Sequence, residues 1–225
     1  MSDIVLEQTE RTKVHRLPER ASYDRATIHA ILDEALICHV GFVVEGRPVV
    51  IPTIHARIDD HLYFHGSPAA GMLRTLRTGV DACVTVTLLD GLVLARSAFH
   101  HSMNYRSVVV FGKAEEVSDR EEKMRVLTAL VEHVCRGRSA DARGPNETEF
   151  KKTLVLRLPI AEASAKIRKG PPGDEPEDYA LPIWAGILPL AITPSAPVSD
   201  NDVAVPDYIS RYNRLPAARR PPPAG

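Results

Sequence analysis

A mainly β, antiparallel barrel flanked by helices is the fold class this sequence predicts. Three observations carry it: hairpin-length links between successive apolar segments, a two-residue alternation over residues 80–89, and no regular strand-helix alternation of the kind a parallel sheet needs.

In chain order, residues 24–36 come first, with Ile28, Ile31, Leu32, Ala35 and Leu36 at the spacing of one helical face. Segments 37–44 and 47–55 are rich in β-branched residues and flank Glu45-Gly46, a two-residue hairpin signal. A third strand, 61–65, follows the turn-like Asp59-Asp60. Ser67-Pro68 then predicts a short helix, with serine as cap and proline at its first position. In 80–89, Val80, Ala82, Val84, Val86 and Leu88 fall on one face, and Asp81, Cys83, Thr85 and Thr87 on the other. Segments 91–97 and 107–117 give two more strands, joined by a polar, aromatic stretch at 98–106. Ser118 to Glu121 reads as a capping box, and Met124, Leu127, Leu130, Val131 and Val134 form the stripe of a helix ending at Gly137. A last strand, 153–158, extends toward Ile167.

Six of the 18 prolines lie in residues 1–170 and the other twelve in residues 171–225. That shift divides the chain into a folded domain, 1–170, and a proline-rich extension, 171–225, expected to be extended and to fray at its end, RRPPPAG. Within the extension, residues 181–190 are apolar and carry the single tryptophan, Trp184, so this piece is expected to pack on the barrel or on a dimer partner.

Charge excludes several function classes. Lys+Arg 28 against Asp+Glu 29 gives a net charge of -1, too little field to gather a nucleic acid or an anionic membrane. No apolar run approaches the roughly 20 residues that span a bilayer, and the first residues lack the pattern of a signal peptide; a cytoplasmic location is expected. Cys38, Cys83 and Cys135 are far apart in apolar surroundings, as reduced core thiols are. No metal site is expected: His61 and His65 would lie about 13 Å apart on a strand, too far to share an ion. The Ser-His hydrolase, dinucleotide-fold and P-loop motifs do not occur.

The most informative local feature is His65-Gly66-Ser67-Pro68-Ala69-Ala70-Gly71, directly after a strand. First-turn amides of a helix lack internal partners and, with the helix dipole, make a site for a phosphate or carboxylate. Gly66 and Gly71 would let a ligand approach the backbone.

Three blocks in order, residues 47–76, 83–117 and 181–190, resemble the flavin-nucleotide-binding branch of the pyridoxamine 5'-phosphate oxidase superfamily, which also contains the nitroimidazole-resistance reductases. The resemblance implies a six-stranded antiparallel FMN-binding split barrel, a homodimer, and FMN at the subunit interface. By the same resemblance Val50, Ile51, Pro52 and Thr53, together with Tyr63, Phe64, His65, Gly66 and Ser67, edge the flavin, and Met72 and Leu73 lie in the helix beneath its phosphate. Amides around Pro52-Thr53 and the Thr53 hydroxyl would face the flavin's pyrimidine side, and His65 would lie next to the ring. Asn104, Tyr105, Arg106 and Ser107 would reach the flavin from the second subunit, and Trp184 would pack near it. Where family members place Arg-Lys in the short helix, this chain has Gly71-Met72, with Arg74 and Arg77 further along.

The activity so implied is an FMN-dependent oxidoreductase that reduces a small-molecule electron acceptor of nitroaromatic or quinone type. Two alternatives stay open: a carrier that binds flavin without turnover, and a protein that holds heme with His65, His100 or His101 as axial ligand.

Overall fold

A computed structural model of the chain describes residues 5–212. In chain order its strands and α-helices are β1 (Ala21–Ser22), α1 (Arg25–Glu34), β2 (Ile37–Val44), β3 (Arg47–Ile54), β4 (Ala56–Ile58), β5 (His61–Gly66), α2 (Gly71–Leu76), β6 (Asp81–Leu94), β7 (Ser102–Lys113), β8 (Glu115–Glu116), α3 (Arg120–Val134), α4 (Arg138–Asp141), α5 (Glu147–Lys151), β9 (Leu154–Pro159), β10 (Glu162–Arg168), β11 (Gly186–Pro189) and α6 (Asp207–Ser210). The fold is mainly β, with every paired strand antiparallel, as the sequence predicts.

Two sheets carry the architecture. One runs β1-β10-β7-β6-β2-β3, with β11 also paired to β6, and the other runs β4-β5-β9-β8. The β2-β3 hairpin turns on Glu45 (φ 50) and Gly46 (φ 76), a pair of positive φ values that a two-residue type I′ turn requires. In β6 the expected alternation holds: Ala82, Val84 and Val86 are buried, while Asp81, Cys83 and Thr85 are not. These side chains meet Leu62 and Phe64 of β5, Val108 and Val110 of β7, and Ile28, Ile31 and Leu32 of α1 in the main core. Helix α1 starts where Asp24 accepts from the Thr27 amide at 2.7 Å, a side-chain cap. Helix α3 packs Val126 and Leu130 against Tyr63 and Val155, on the other face of the small sheet.

Several boundaries differ from the sequence expectation. The strands expected at 80–89 and 91–97 are one strand, β6, which continues through an irregularity between Leu89 and Gly91. Asp90 is the extra residue there, and its carboxylate is held by Arg106 at 2.9 Å, so the chain bulges instead of turning. β7 begins at Ser102, inside the stretch read as a connection. The last strand is a pair, β9 and β10. The cap of α3 is Asp119, whose side chain accepts from the Glu122 amide at 2.7 Å; a full capping box stands instead at Asn146 and Glu149 of α5.

Beyond residue 170 the chain docks back on the larger sheet. Asp174 accepts from the amides of Arg96 and Ser97 at 2.9 and 3.2 Å. β11 then pairs with residues 91–94 of β6, which gives the apolar run at 181–190 its support. This close approach needs Gly91, where a Cβ would lie 3.0 Å from the Leu188 carbonyl oxygen. Further on, the Tyr208 hydroxyl donates to Asp141 at 2.7 Å and that of Tyr212 to the Val134 carbonyl at 3.0 Å. The terminal RRPPPAG lies outside the described residues. Among the described residues no helix is long and apolar enough to cross a membrane.

Candidate functional site

Strand β3 ends its sheet and has one unpaired edge. Pro48 and Pro52 share parity and cannot donate, so they belong on the open edge; the amides of Val50 and Ile54 share that edge, and Thr53 turns its amide toward β2. The donors available near Pro52-Thr53 are therefore its neighbours. The Thr53 hydroxyl donates to the Ile54 carbonyl at 3.4 Å. Val50 is 62% exposed, Ile51 38% and Pro52 exposed, so the strand presents an apolar surface beside open backbone groups.

From β3 the chain passes through β4 to β5, where side chains alternate between the two faces of the small sheet. Phe64 (0% exposed) points into the main core and Tyr63 toward α3, where its hydroxyl donates to Glu122 at 3.0 Å. Leu73 is 1% exposed and also belongs to the core. The side chains of Tyr63, Phe64 and Leu73, expected beside a cofactor, are thus spent on packing, and Met72 packs partly buried against the same core. Each sits where the strand or helix period turns it inward.

The helix expected to start at Pro68, with Ser67 as its cap, begins at Gly71, with Ala70 as an N-cap that offers no side-chain bond. Ser67 instead closes a turn: its carbonyl accepts from the Ala70 amide at 2.9 Å and its hydroxyl oxygen from the Ala69 amide at 3.2 Å. Pro68 occupies the second position of this turn, which its fixed φ suits, and the helix starts only after it. Gly66 is needed for packing, since a Cβ there would lie 3.1 Å from Leu73 Cδ1, whereas space is open at Gly71.

His65 follows Phe64 and turns to the opposite face, where it lines a cavity of about 510 Å³. Ile54, Leu130, Val131 and Val134 supply apolar walls, and Cys135, Arg138 and Arg143 also line it. The His65 Nδ1 is buried and has no hydrogen-bond partner. Burial pushes its pKa below the ordinary histidine value and keeps the ring neutral. Arg138 donates to the Tyr208 hydroxyl at 3.1 Å, and Arg143 makes two bonds of 2.8 Å to Glu149.

The β7 residues lie elsewhere. The Asn104 amide donates to the Gly170 carbonyl at 3.2 Å, and the Ser107 hydroxyl to Lys166 at 3.3 Å. Tyr105 sits in register between Leu89 and Arg168. Arg106 is held by Glu34 at 2.6 and 2.7 Å and by Asp90 at 2.9 and 3.0 Å. Those bonds, Glu34 foremost, raise its already high pKa, and its charge is matched within the chain. Glu34 and Asp90 also line a second cavity, of about 280 Å³, with Leu88, Leu190, Ile192 and Tyr212. Trp184 is 67% exposed and its ring lies over Gly186, where a Cβ would come within 2.9 Å. Neither residues 104–107 nor Trp184 line the His65 cavity.

The structure therefore brings together the end of β3, His65 and helix α3. Sequence reasoning missed Val131, Val134, Arg138 and Arg143; the only signal was the width of the α3 apolar stripe, wider than one core needs.

A family model described as pyridoxamine 5'-phosphate oxidase matches residues 24–167. No curated protein sequence matches the chain. Among solved structures, the flavocytochrome Anf3 from Azotobacter vinelandii is 42% identical, with a TM-score of 0.82 over 91% of this chain and 97% of that one. The FAD and heme binding protein from Mycobacterium smegmatis is 37% identical, with a TM-score of 0.80 over 85% of this chain and 96% of that one. A protein assigned to 5-nitroimidazole antibiotic resistance in Bacteroides thetaiotaomicron is 27% identical, with a TM-score of 0.56 over 65% and 86% of the two chains.

Proposed function

Because the chain belongs to the pyridoxamine 5'-phosphate oxidase family, we propose that it is a flavin-binding redox protein that also holds a heme. The observation that carries this reading is likeness along nearly the whole chain to two structures whose names state both groups, a flavocytochrome and a FAD and heme binding protein. A bound flavin would supply hydride and electron transfer, and a heme one-electron transfer.

The chain's own residues fit both groups. For the flavin, the open edge of β3 offers the amides of Val50 and Ile54 to ring polar atoms, and Val50 and Ile51 offer apolar contact. Gly71 leaves room for an anionic tail at the start of α2, and Arg74 lies one turn further on. For the heme, an apolar cavity holds a histidine whose buried Nδ1 lacks a partner. Ile54 joins the two, since it ends β3 and also lines the cavity. Family resemblance favours FMN, and the Mycobacterium smegmatis structure favours FAD.

We further propose a homodimer. Val43, Val50 and Ile54 are exposed on one face of the β2-β3 hairpin, an apolar surface that a second copy would cover together with the flavin. Reduction of a small acceptor of nitroaromatic or quinone type is the activity proposed for the loaded protein.

The test is reconstitution of cofactor-stripped protein with FMN and with FAD, followed by flavin fluorescence and sedimentation. Saturable quenching by one nucleotide on a dimeric species supports the reading. Unquenched fluorescence with both nucleotides contradicts it.

A further inference from the structure

We infer that the His65 cavity between β5 and α3 is a heme site in which the His65 imidazole ligates the iron and Arg138 binds a propionate carboxylate. The inference rests on the proposed heme binding and adds its place and its ligand.

Three observations carry it. First, the cavity has the right chemistry for a flat macrocycle: about 510 Å³, walled by Ile54, Leu130, Val131 and Val134. Pockets for planar cofactors are mostly apolar with a few placed polar groups, and here a histidine and two arginines stand among apolar walls, with Thr128, Ser139 and Thr153 as the hydroxyls. Second, five of the other eight histidines are held in contacts away from this cavity. His100 lies 3.3 Å from Glu175 and packs edge-on against Phe99, and His101 Nδ1 is 3.0 Å from the Ser97 carbonyl. His55 and His133 direct Nε2 to the Leu32 and Ala35 carbonyls at 2.9 and 2.8 Å. His29 lies 3.3 Å from Asp60. None of these lines either cavity, whereas His65 does, with a buried Nδ1 that the chain leaves without a partner. Third, the arginines differ. Arg143 is spent on Glu149, while Arg138 meets a phenol, the Tyr208 hydroxyl that itself donates to Asp141. A propionate would give Arg138 a charge-assisted partner.

A neutral imidazole is the form that ligates iron, and burial favours it here. Cys135 also lines the cavity, so a thiolate ligand is the competing outcome.

The test is hemin titration of the full-length protein, read by absorption and electron paramagnetic resonance. Wild type is expected to give a Soret band and a histidine-type iron signal. His65→Ala is expected to lose about tenfold or more in hemin affinity and to recover the wild-type spectrum on adding imidazole, which shows that the cavity is still folded. His100→Ala, His101→Ala and Cys135→Ser are expected to match wild type. Arg138→Ala is expected to weaken hemin retention without changing the iron signal.

Wild-type spectrum and affinity in His65→Ala overturn the assignment, as does a thiolate-type spectrum lost in Cys135→Ser. Wild type that takes up no hemin removes the heme half of the proposed function, and the site with it. Flavin content, measured on the same samples, reports separately on the flavin half.

Discussion

Arg106 and Glu34 form a two-pronged ion pair, with Nη1 and Nη2 donating to the two carboxylate oxygens at 2.6 and 2.7 Å, which ties β7 to the end of α1. Asp90 completes the group from the bulge in β6, and the three side chains are only 10–18% exposed. Removing the guanidinium would leave two carboxylates facing each other with little water between them. Arg106→Ala is expected to destabilise the fold by about 2–3 kcal/mol, somewhat less than a fully buried pair loses. Urea unfolding checks this, and a loss under about 0.5 kcal/mol would show that the group contributes no more than a surface pair.

The hairpin between β2 and β3 positions the open edge on which the flavin reading depends. Glu45 holds φ 50 and Gly46 φ 76, and glutamate is poorly suited to that region. Glu45→Asn is expected to stabilise by about 0.5–1 kcal/mol, and Gly46→Val to destabilise by about 1–2 kcal/mol. Thermal melts of the two variants should therefore move in opposite directions.

His65 makes stability depend on pH with a definite sign. Burial lowers its folded pKa, so the unfolded chain takes up the proton first as pH falls through the ordinary histidine range near ~6.5. Stability from this residue is present above that range and lost below it. His29, also lowered by desolvation, acts in the same direction. From about pH 7.5 to 5.5, cofactor-free wild type is expected to lose more stability than His65→Leu. Parallel urea curves for the two proteins would show that the ring is not desolvated.

Trp184 lies over Gly186 at the start of β11, so the single tryptophan reports on the docked extension. Gly186→Ala would bring a methyl group within 2.9 Å of the indole and must displace it. A shift in tryptophan emission with unchanged far-ultraviolet circular dichroism is expected. Unaltered emission would place the indole elsewhere.

What the sequence made legible was governed by local rules. The alternation in β6, the two-residue hairpin at Glu45-Gly46 and the helical stripe of α1 each follow from contacts between near neighbours, and the structure has all three. The start of α2 was misplaced by three residues because Ser67-Pro68 suits a turn as well as a helix cap. The two strands read around Asp90 are one, because its partner, Arg106, lies sixteen residues away and no local pattern announces it. His65 was singled out by the family resemblance, but its surroundings were not, since a helical stripe cannot tell residues that fill a core, such as Leu130, from ones that also line a cavity, such as Val134.

The most direct measurement is the absorption spectrum of the protein as isolated, before any cofactor is added. A yellow-brown preparation with flavin bands and a Soret band, in which a reductant bleaches the flavin and sharpens the heme bands, is the predicted result. A colourless protein that stays so after incubation with FMN, FAD and hemin would contradict it.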